Sequence, residues 1–205
     1  MAARTAQGAA ACVAAGAAGA ERAALDAALA RHGERHTWRR DACAASDASA
    51  TLRPAAVCVT RAALYVACRG RARRLPLGAV AGLALSPLPD GLVALRCGQG
   101  RAFDELLAVD DKMGLCAALA SARRAEVHAA VGAEDAALLG IATDVPLDVS
   151  ERFAFRPAAN ARAEVHARAN EGGVSVRIRL LGEGHADQPA ESAQETRHEG
   201  RRRDA

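Results

Sequence analysis

The sequence predicts a mainly β fold of the α+β class, with antiparallel strands followed by one helix. Three observations predict it. Two short apolar runs, Val80 to Leu85 and Leu92 to Leu95, flank the cluster Ser86-Pro87-Leu88-Pro89-Asp90-Gly91, the pattern of two strands joined by a turn. Leu52 to Ala67 holds Val57, Val59, Leu64, Tyr65 and Val66, the densest strand signal in the chain. Met113, Leu115, Cys116 and Leu119 recur at helical spacing behind Asp110-Asp111 and ahead of Arg123-Arg124. Acid first and base last suits the helix dipole.

The elements follow in order. A chain of 205 residues is one domain, or one domain with tails. Residues 1–20 are alanine-rich and read as a low-complexity lead-in; a transit peptide is the other reading their composition allows. Glu21 to Ala30 carries Leu25 and Leu29 four residues apart, which predicts a short helix. Arg31 to Arg40 is polar and basic around Trp38, and Asp41 to Ala50 is small and polar with little strand signal. Thr60-Arg61 breaks the Leu52 to Ala67 run into two strands, and Arg69 to Arg74 is a basic turn. Leu75 to Leu85 and Leu92 to Cys97 are the next strands. Pro87 and Pro89 lack ladder donors and Gly91 accepts the positive φ of a turn. Gly98-Gln99-Gly100 is a hairpin loop, and Phe103, Leu106 and Leu107 form another strand. The helix runs from Asp110 to about Arg124, with the aspartates as its caps. Further on, Phe153 and Phe155 alternate with Arg152 and Arg156. Val174, Val176, Ile178 and Leu180 alternate with Ser175, Arg177 and Arg179, a hairpin with one wet, basic face. Gly182 to Ala205 is charged, poor in apolar residues, and reads as a disordered tail.

Composition bounds the function. Hydrophobic residues make up 51% of the chain, but many are alanine and only 2% are aromatic, so the core rests on scattered Leu and Val. A formal charge of +3 is too small to imply a polyanion partner; clustering of charge matters more. The six cysteines show no C-x-x-C pair and no zinc spacing, so they read as free thiols of a reduced protein. His32 and His36 share an i, i+4 spacing, but Gly33 between them favours a solvated pair over a metal seat. No apolar run is long enough to span a bilayer. Nucleophile elbow, phosphate loop and dinucleotide fingerprint are all missing, so no catalytic residue, cofactor or metal is assigned. One constellation remains: Arg69, Arg71, Arg73 and Arg74, with Arg53 and Arg61 nearby in sequence. If the turn is extended, Arg69, Arg71 and Arg73 point to one side. The plain alternative is a solvated hairpin that protects a sheet edge.

Several words of this sequence occur in a familiar order. They are Val57-Cys58-Val59-Thr60, Ala63-Leu64-Tyr65, Arg73-Arg74-Leu75-Pro76-Leu77, Val80 to Asp90, Asp104-Glu105-Leu106-Leu107 and Asp110-Asp111-Lys112. In that order the chain resembles the tail homology 1 domain of class I myosins, best over residues 52–124. The resemblance implies a pleckstrin-homology-like antiparallel barrel with a capping helix, a helical N-terminal preamble and a C-terminal β extension, together spanning about residues 21–182. It also implies a non-enzymatic module that docks on anionic phospholipid through the arginine-rich turn, at the membrane periphery in the cytoplasm. Its partners would be a membrane surface and a myosin motor chain or cytoskeletal proteins, with no nucleic acid. Ala44 and Ala55 stand where phosphoinositide-binding members carry basic residues, which implies recognition of surface charge over a particular headgroup. A protein-interaction scaffold of the same fold is the alternative.

Overall fold

The computed structural model describes residues 4–5, 19–45, 51–98, 104–158, 161–170 and 173–181. The elements are β1 (Arg4–Thr5), α1 (Gly19–His32), β2 (His36–Ala45), β3 (Arg53–Thr60), β4 (Ala63–Cys68) and β5 (Arg71–Pro76). A 3-10 turn at Leu77–Ala79 leads to β6 (Val80–Leu85), β7 (Leu92–Cys97) and β8 (Glu105–Val109). Then come α2 (Lys112–Val131), α3 (Ala133–Leu138), β9 (Leu147–Val149), β10 (Arg152–Ala158), β11 (Ala161–Asn170) and β12 (Gly173–Leu181). The chain is therefore mainly β, of the α+β class.

Eight strands form one sheet in the order β5-β4-β3-β2-β8-β7-β6-β9. Every pairing in it is antiparallel except β6 with β9. Two meanders, β2 to β5 and β6 to β8, are joined edge to edge by the β2–β8 pairing. The sheet rolls strongly. Arg73 on β5 and Glu105 on β8 lie four strand positions apart, which on a flat sheet is about 19 Å at 4.7–4.9 Å per strand. Their side chains nonetheless meet at 2.9 Å. Consecutive β5 and β6 are not hydrogen-bonded to each other, so the roll stays open at that corner.

Both faces of the sheet are covered, which is why β3 and β4 read as continuous apolar runs. The inner face carries Val57, Val59, Leu64, Val66, Leu75, Leu95, Leu107 and Val109, and α2 adds Leu115, Cys116, Leu119 and Ala122. A fully buried Val or Leu contributes about 1.5–3 kcal/mol, so this interior is the main apolar store of the chain. On the outer face α1 lays Leu25, Ala28 and Leu29 over Ala56, Cys58, Ala63, Tyr65 and Ala67. The remaining outer face, Cys43, Ala45, Ala84, Leu92, Ala94, Leu106 and Ala108, is covered by a second sheet in the order β1-β12-β11-β10. Phe153, Phe155, Val165 and Val176 supply its bulk.

Several expectations need correction. Residues Arg31 to Arg40 are not a helical approach: α1 stops at His32, where Gly33 takes φ +63, and β2 begins at His36. Ala42, Cys43, Ala44 and Ala45 are small residues with weak strand propensity, but pairing with β3 on one side and β8 on the other holds them in the sheet. Arg71 to Arg74 lie in β5, not in a turn, and the run Leu75 to Leu85 is broken by the 3-10 turn. The helix is longer than its acid-to-base span suggests and ends at Gly132; Met113 faces solvent, 60% exposed. Arg4–Thr5 pairs with β12, so this part of the lead-in is a strand. Gln99, Gly100, Phe103 and residues 182–205 lie outside the described residues.

Turn chemistry came out as expected at Ser86 to Gly91. Gly91 has φ +72, and a Cβ there would sit 2.5 Å from the Val109 carbonyl oxygen, so only glycine fits. Asp111, rather than Asp110, caps α2 by accepting from the Gly114 amide at 2.8 Å. Trp38 is half-buried against the inner core, and its Nε1 donates to Asp111 at 3.4 Å.

Candidate functional site

The β4–β5 hairpin is closed by two residues, because Cys68 pairs with Arg71. Arg69 and Gly70 both have positive φ, 53° and 68°, as a type I′ hairpin turn requires. Arg69 is therefore not in extended backbone, and the expected three-residue alternation fails at its first member. Arg71 and Arg73 remain on one face of β5, with Arg74 on the other. Arg53 opens β3, and Ala55 pairs with Cys68, so Arg53 joins the hairpin tip. Burial pushes the Cys68 thiol up, while the charges of Arg73, Arg69 and Arg53 each pull it down. Arg73, Arg69 and Arg53 are thus near enough to act electrostatically on one thiol. Arg61 does not join them: it sits in the β3–β4 turn at the opposite end of the hairpin, roughly 20 Å away at 3.3 Å per residue.

The arginines of β5 have internal partners. Arg73 Nη2 donates to Glu105 Oε2 at 2.9 Å, and Nη1 lies 2.9 Å from Oε1. The Glu105 side chain is fully buried, so this pair holds a carboxylate inside the roll. Arg74 Nε donates to Glu34 at 2.9 Å and to the Tyr65 hydroxyl at 3.1 Å. Thr60 also donates to Glu34. Burial raises the Glu34 carboxyl, but hydrogen bonds from Thr60, Arg74 and Tyr65 outweigh it, and the carboxyl lies below its ordinary range. The outward charge of the tip is carried by the exposed Arg53, Arg69 and Arg71. Glu21, on the first turn of α1, accepts from the Gly70 amide at 3.3 Å and fixes the tip to the helix.

A polar network missed by sequence reasoning connects two of the words quoted above. Lys112 Nζ donates to the Ser86 carbonyl at 2.7 Å, to the Leu88 carbonyl, and to Asp90 Oδ1 at 3.2 Å. Asp90 in turn accepts from the Leu92 amide at 2.9 Å. The only lysine of the chain is thus a staple between the β6–β7 turn and the start of α2. The signal was the spacing of Ser86, Asp90 and Lys112, but one strand pair separates them in sequence.

The cysteines are unsuited to nucleophilic chemistry. Cys58, Cys68, Cys97 and Cys116 are free and buried. Burial pushes the Cys58 thiol up to about 12, and raises Cys116 as well. Cys43 corrects the expectation of free thiols throughout: it is disulfide-bonded, with its partner outside the described residues. Among the described residues, no three His, Cys, Asp or Glu side chains could hold a metal ion. His32 packs its ring 6.1 Å from Tyr65. No described helix is long and apolar enough to cross a membrane.

The class this geometry defines is a rolled, mainly β, α+β chain with a basic hairpin tip. No protein-family model and no curated protein matches it. Among solved structures, it is similar to the hSac2 domain from human phosphoinositide phosphatase Sac2, at 16% identity and a TM-score of 0.36. The alignment covers 62% of this chain and 88% of that one. A likeness at that score carries no argument about fold or activity.

Proposed function

We propose that this chain is a non-enzymatic, membrane-peripheral module with a pleckstrin-homology-like barrel, which docks on acidic phospholipid through the β4–β5 tip. The observation that carries the reading is the strand register that brings the exposed Arg53, Arg69 and Arg71 to the β4–β5 tip. A four-stranded and a three-stranded meander with a helix packed on their inner face support the barrel part of the reading. Its resemblance to the class I myosin tail domain extends the reading to a link between membrane and actomyosin. Arg73 and Arg74 serve the fold in this reading, because each is held by a carboxylate. Arg61 lies too far from the tip to share its contact. Each arginine near an anionic surface is worth about 1 kcal/mol, so three give roughly 3 kcal/mol. That is transient docking which depends on surface charge.

The test is co-sedimentation with phosphatidylcholine vesicles with and without phosphatidylserine, at low and high salt. Replacing Arg53, Arg69 and Arg71 with Gln should weaken the pelleting by two orders of magnitude, roughly, on the same 1 kcal/mol scale. Binding should also fall as the Debye length shrinks from about 10 Å at 0.1 M salt to about 3 Å at 1 M. Equal pelleting of wild type and variant would leave the protein-interaction scaffold as the better reading.

A further inference from the structure

The second sheet presents a larger basic surface than the hairpin tip does. Its strands alternate, with one irregularity in β10 between Phe155 and Ala158. Phe153, Phe155, Ala163, Val165, Ala167 and Val176 point into the core. The opposite face is set by the register: Arg152 lies across from His166 and His166 from Arg177, Glu164 from Arg179, and Arg168 from Ser175. Arg162 begins the same face of β11. Residues two apart on one strand are about 6.8 Å apart, and neighbouring strands about 4.8 Å. The cations therefore form a two-dimensional array, not a single row. Among the described residues Glu164 is the one carboxylate within it, and it is already engaged by Arg152 at 2.6 Å and His166 at 3.1 Å. Arg156 reaches Asp104 at 3.5 Å at the edge. Arg162, Arg168, Arg177 and Arg179 face solvent without a carboxylate partner among the described residues.

We propose that this face of the β10–β11–β12 sheet docks on an anionic lipid bilayer, independently of the β4–β5 tip. An unneutralised array of fixed cations on a sheet costs self-repulsion that an opposing negative surface removes. A broad array suits a bilayer, whose charge also extends in two dimensions. The residues between the arginines are Ala154 and Ser175, so the guanidinium groups are the most protruding features. The outward face carries no Phe, Tyr or Trp on which bases would stack, and no helix there enters a groove. At the end of β12, the half-buried Leu181 lies across from Arg162, an apolar position beside the charges on this face. None of the tip residues takes part, so the inference does not rest on the reading above.

The experiment measures partitioning of the full chain onto phosphatidylcholine vesicles with and without phosphatidylserine. It compares wild type, Arg177→Gln/Arg179→Gln, Arg177→Lys/Arg179→Lys, and a tip variant with Arg53, Arg69 and Arg71 replaced by Gln. Removing two surface charges should reduce binding about 25-fold, at about fivefold per charge. The lysine pair should bind like wild type, and thermal unfolding of all variants should match wild type. If only the tip variant loses binding, this inference is overturned and the tip reading stands. If only the glutamine pair on the sheet loses it, the inference stands and the tip reading falls. Wild-type binding no stronger with phosphatidylserine than without overturns both. Loss of binding in the lysine pair overturns the charge-array explanation. Tighter binding to duplex RNA or DNA than to vesicles at equal phosphate, removed by the glutamine pair, overturns the bilayer in favour of nucleic acid.

Discussion

Glu34 and Glu105 show how single carboxylates are made tolerable inside an alanine-rich protein. Glu34 is surrounded by Thr60, Arg74 and Tyr65, and its folded carboxyl lies below the ordinary range because those hydrogen bonds outweigh burial. A carboxyl depressed on folding adds stability above its unfolded value, near 4.3, and loses it as pH falls through the lower folded value. Denaturant melts from pH 7 down to pH 3 should therefore show an acid-side loss in wild type that shrinks in Glu34→Gln. An unchanged acid limb in that variant would assign the loss to other carboxylates. Arg73 is one of the groups that hold the Glu105 carboxylate inside the roll. Arg73→Ala removes a two-point partner of this buried carboxylate, which should cost about 3 kcal/mol in urea unfolding, the lower end for breaking a buried pair. Replacing both residues by apolar ones of similar volume should recover most of that loss.

At the scale of elements, the β6–β7 turn and α2 behave as one unit. Lys112 supplies three donors to the Ser86 and Leu88 carbonyls and Asp90, and only 12% of its side chain is exposed. Lys112→Met keeps the length of the stem and removes the donors. It should destabilise by about 3–5 kcal/mol, because the buried Asp90 then loses its cation. Lys112→Arg should not rescue it fully, since a planar fork cannot reproduce three converging donors. Urea midpoints of the three proteins at constant slope decide this. α1 is held more lightly: Leu25 and Leu29 carry its packing, while Ala28 adds little area. Arg22 with Asp41 and Arg39 with Asp26 tie the helix to β2, but exposed pairs of this kind contribute about 0.2–1 kcal/mol.

At the scale of the whole molecule, covalent chemistry and the roll act on the same strand. Cys43 lies in β2, the strand that joins the two meanders, and is disulfide-bonded. Alkylation of the denatured, unreduced protein followed by mass spectrometry should label Cys58, Cys68, Cys97 and Cys116 and leave Cys43 unlabelled until reduction. Labelling of Cys43 without reductant would restore the all-thiol expectation.

The sequence by itself determined the local elements whose cause is local. Val57 to Val66 and Val174 to Leu180 had strand character, Ser86 to Gly91 had turn chemistry, and Asp111 to Leu119 had a cap and a helical stripe. It also marked Arg177 and Arg179 as the wet side of a hairpin. Only the tertiary structure decided that Ala42 to Ala45 is a central strand, because alanine has little preference of its own and takes the conformation its neighbours impose. Likewise, six arginines close in sequence were separated into three groups by folding. Arg73 and Arg74 met Glu105 and Glu34, which lie 32 and 40 residues away, and Arg61 was carried to the far end of its hairpin. Clustering in sequence records charge density along the chain; which charges reach solvent depends on partners that only long-range strand pairing brings within hydrogen-bonding distance.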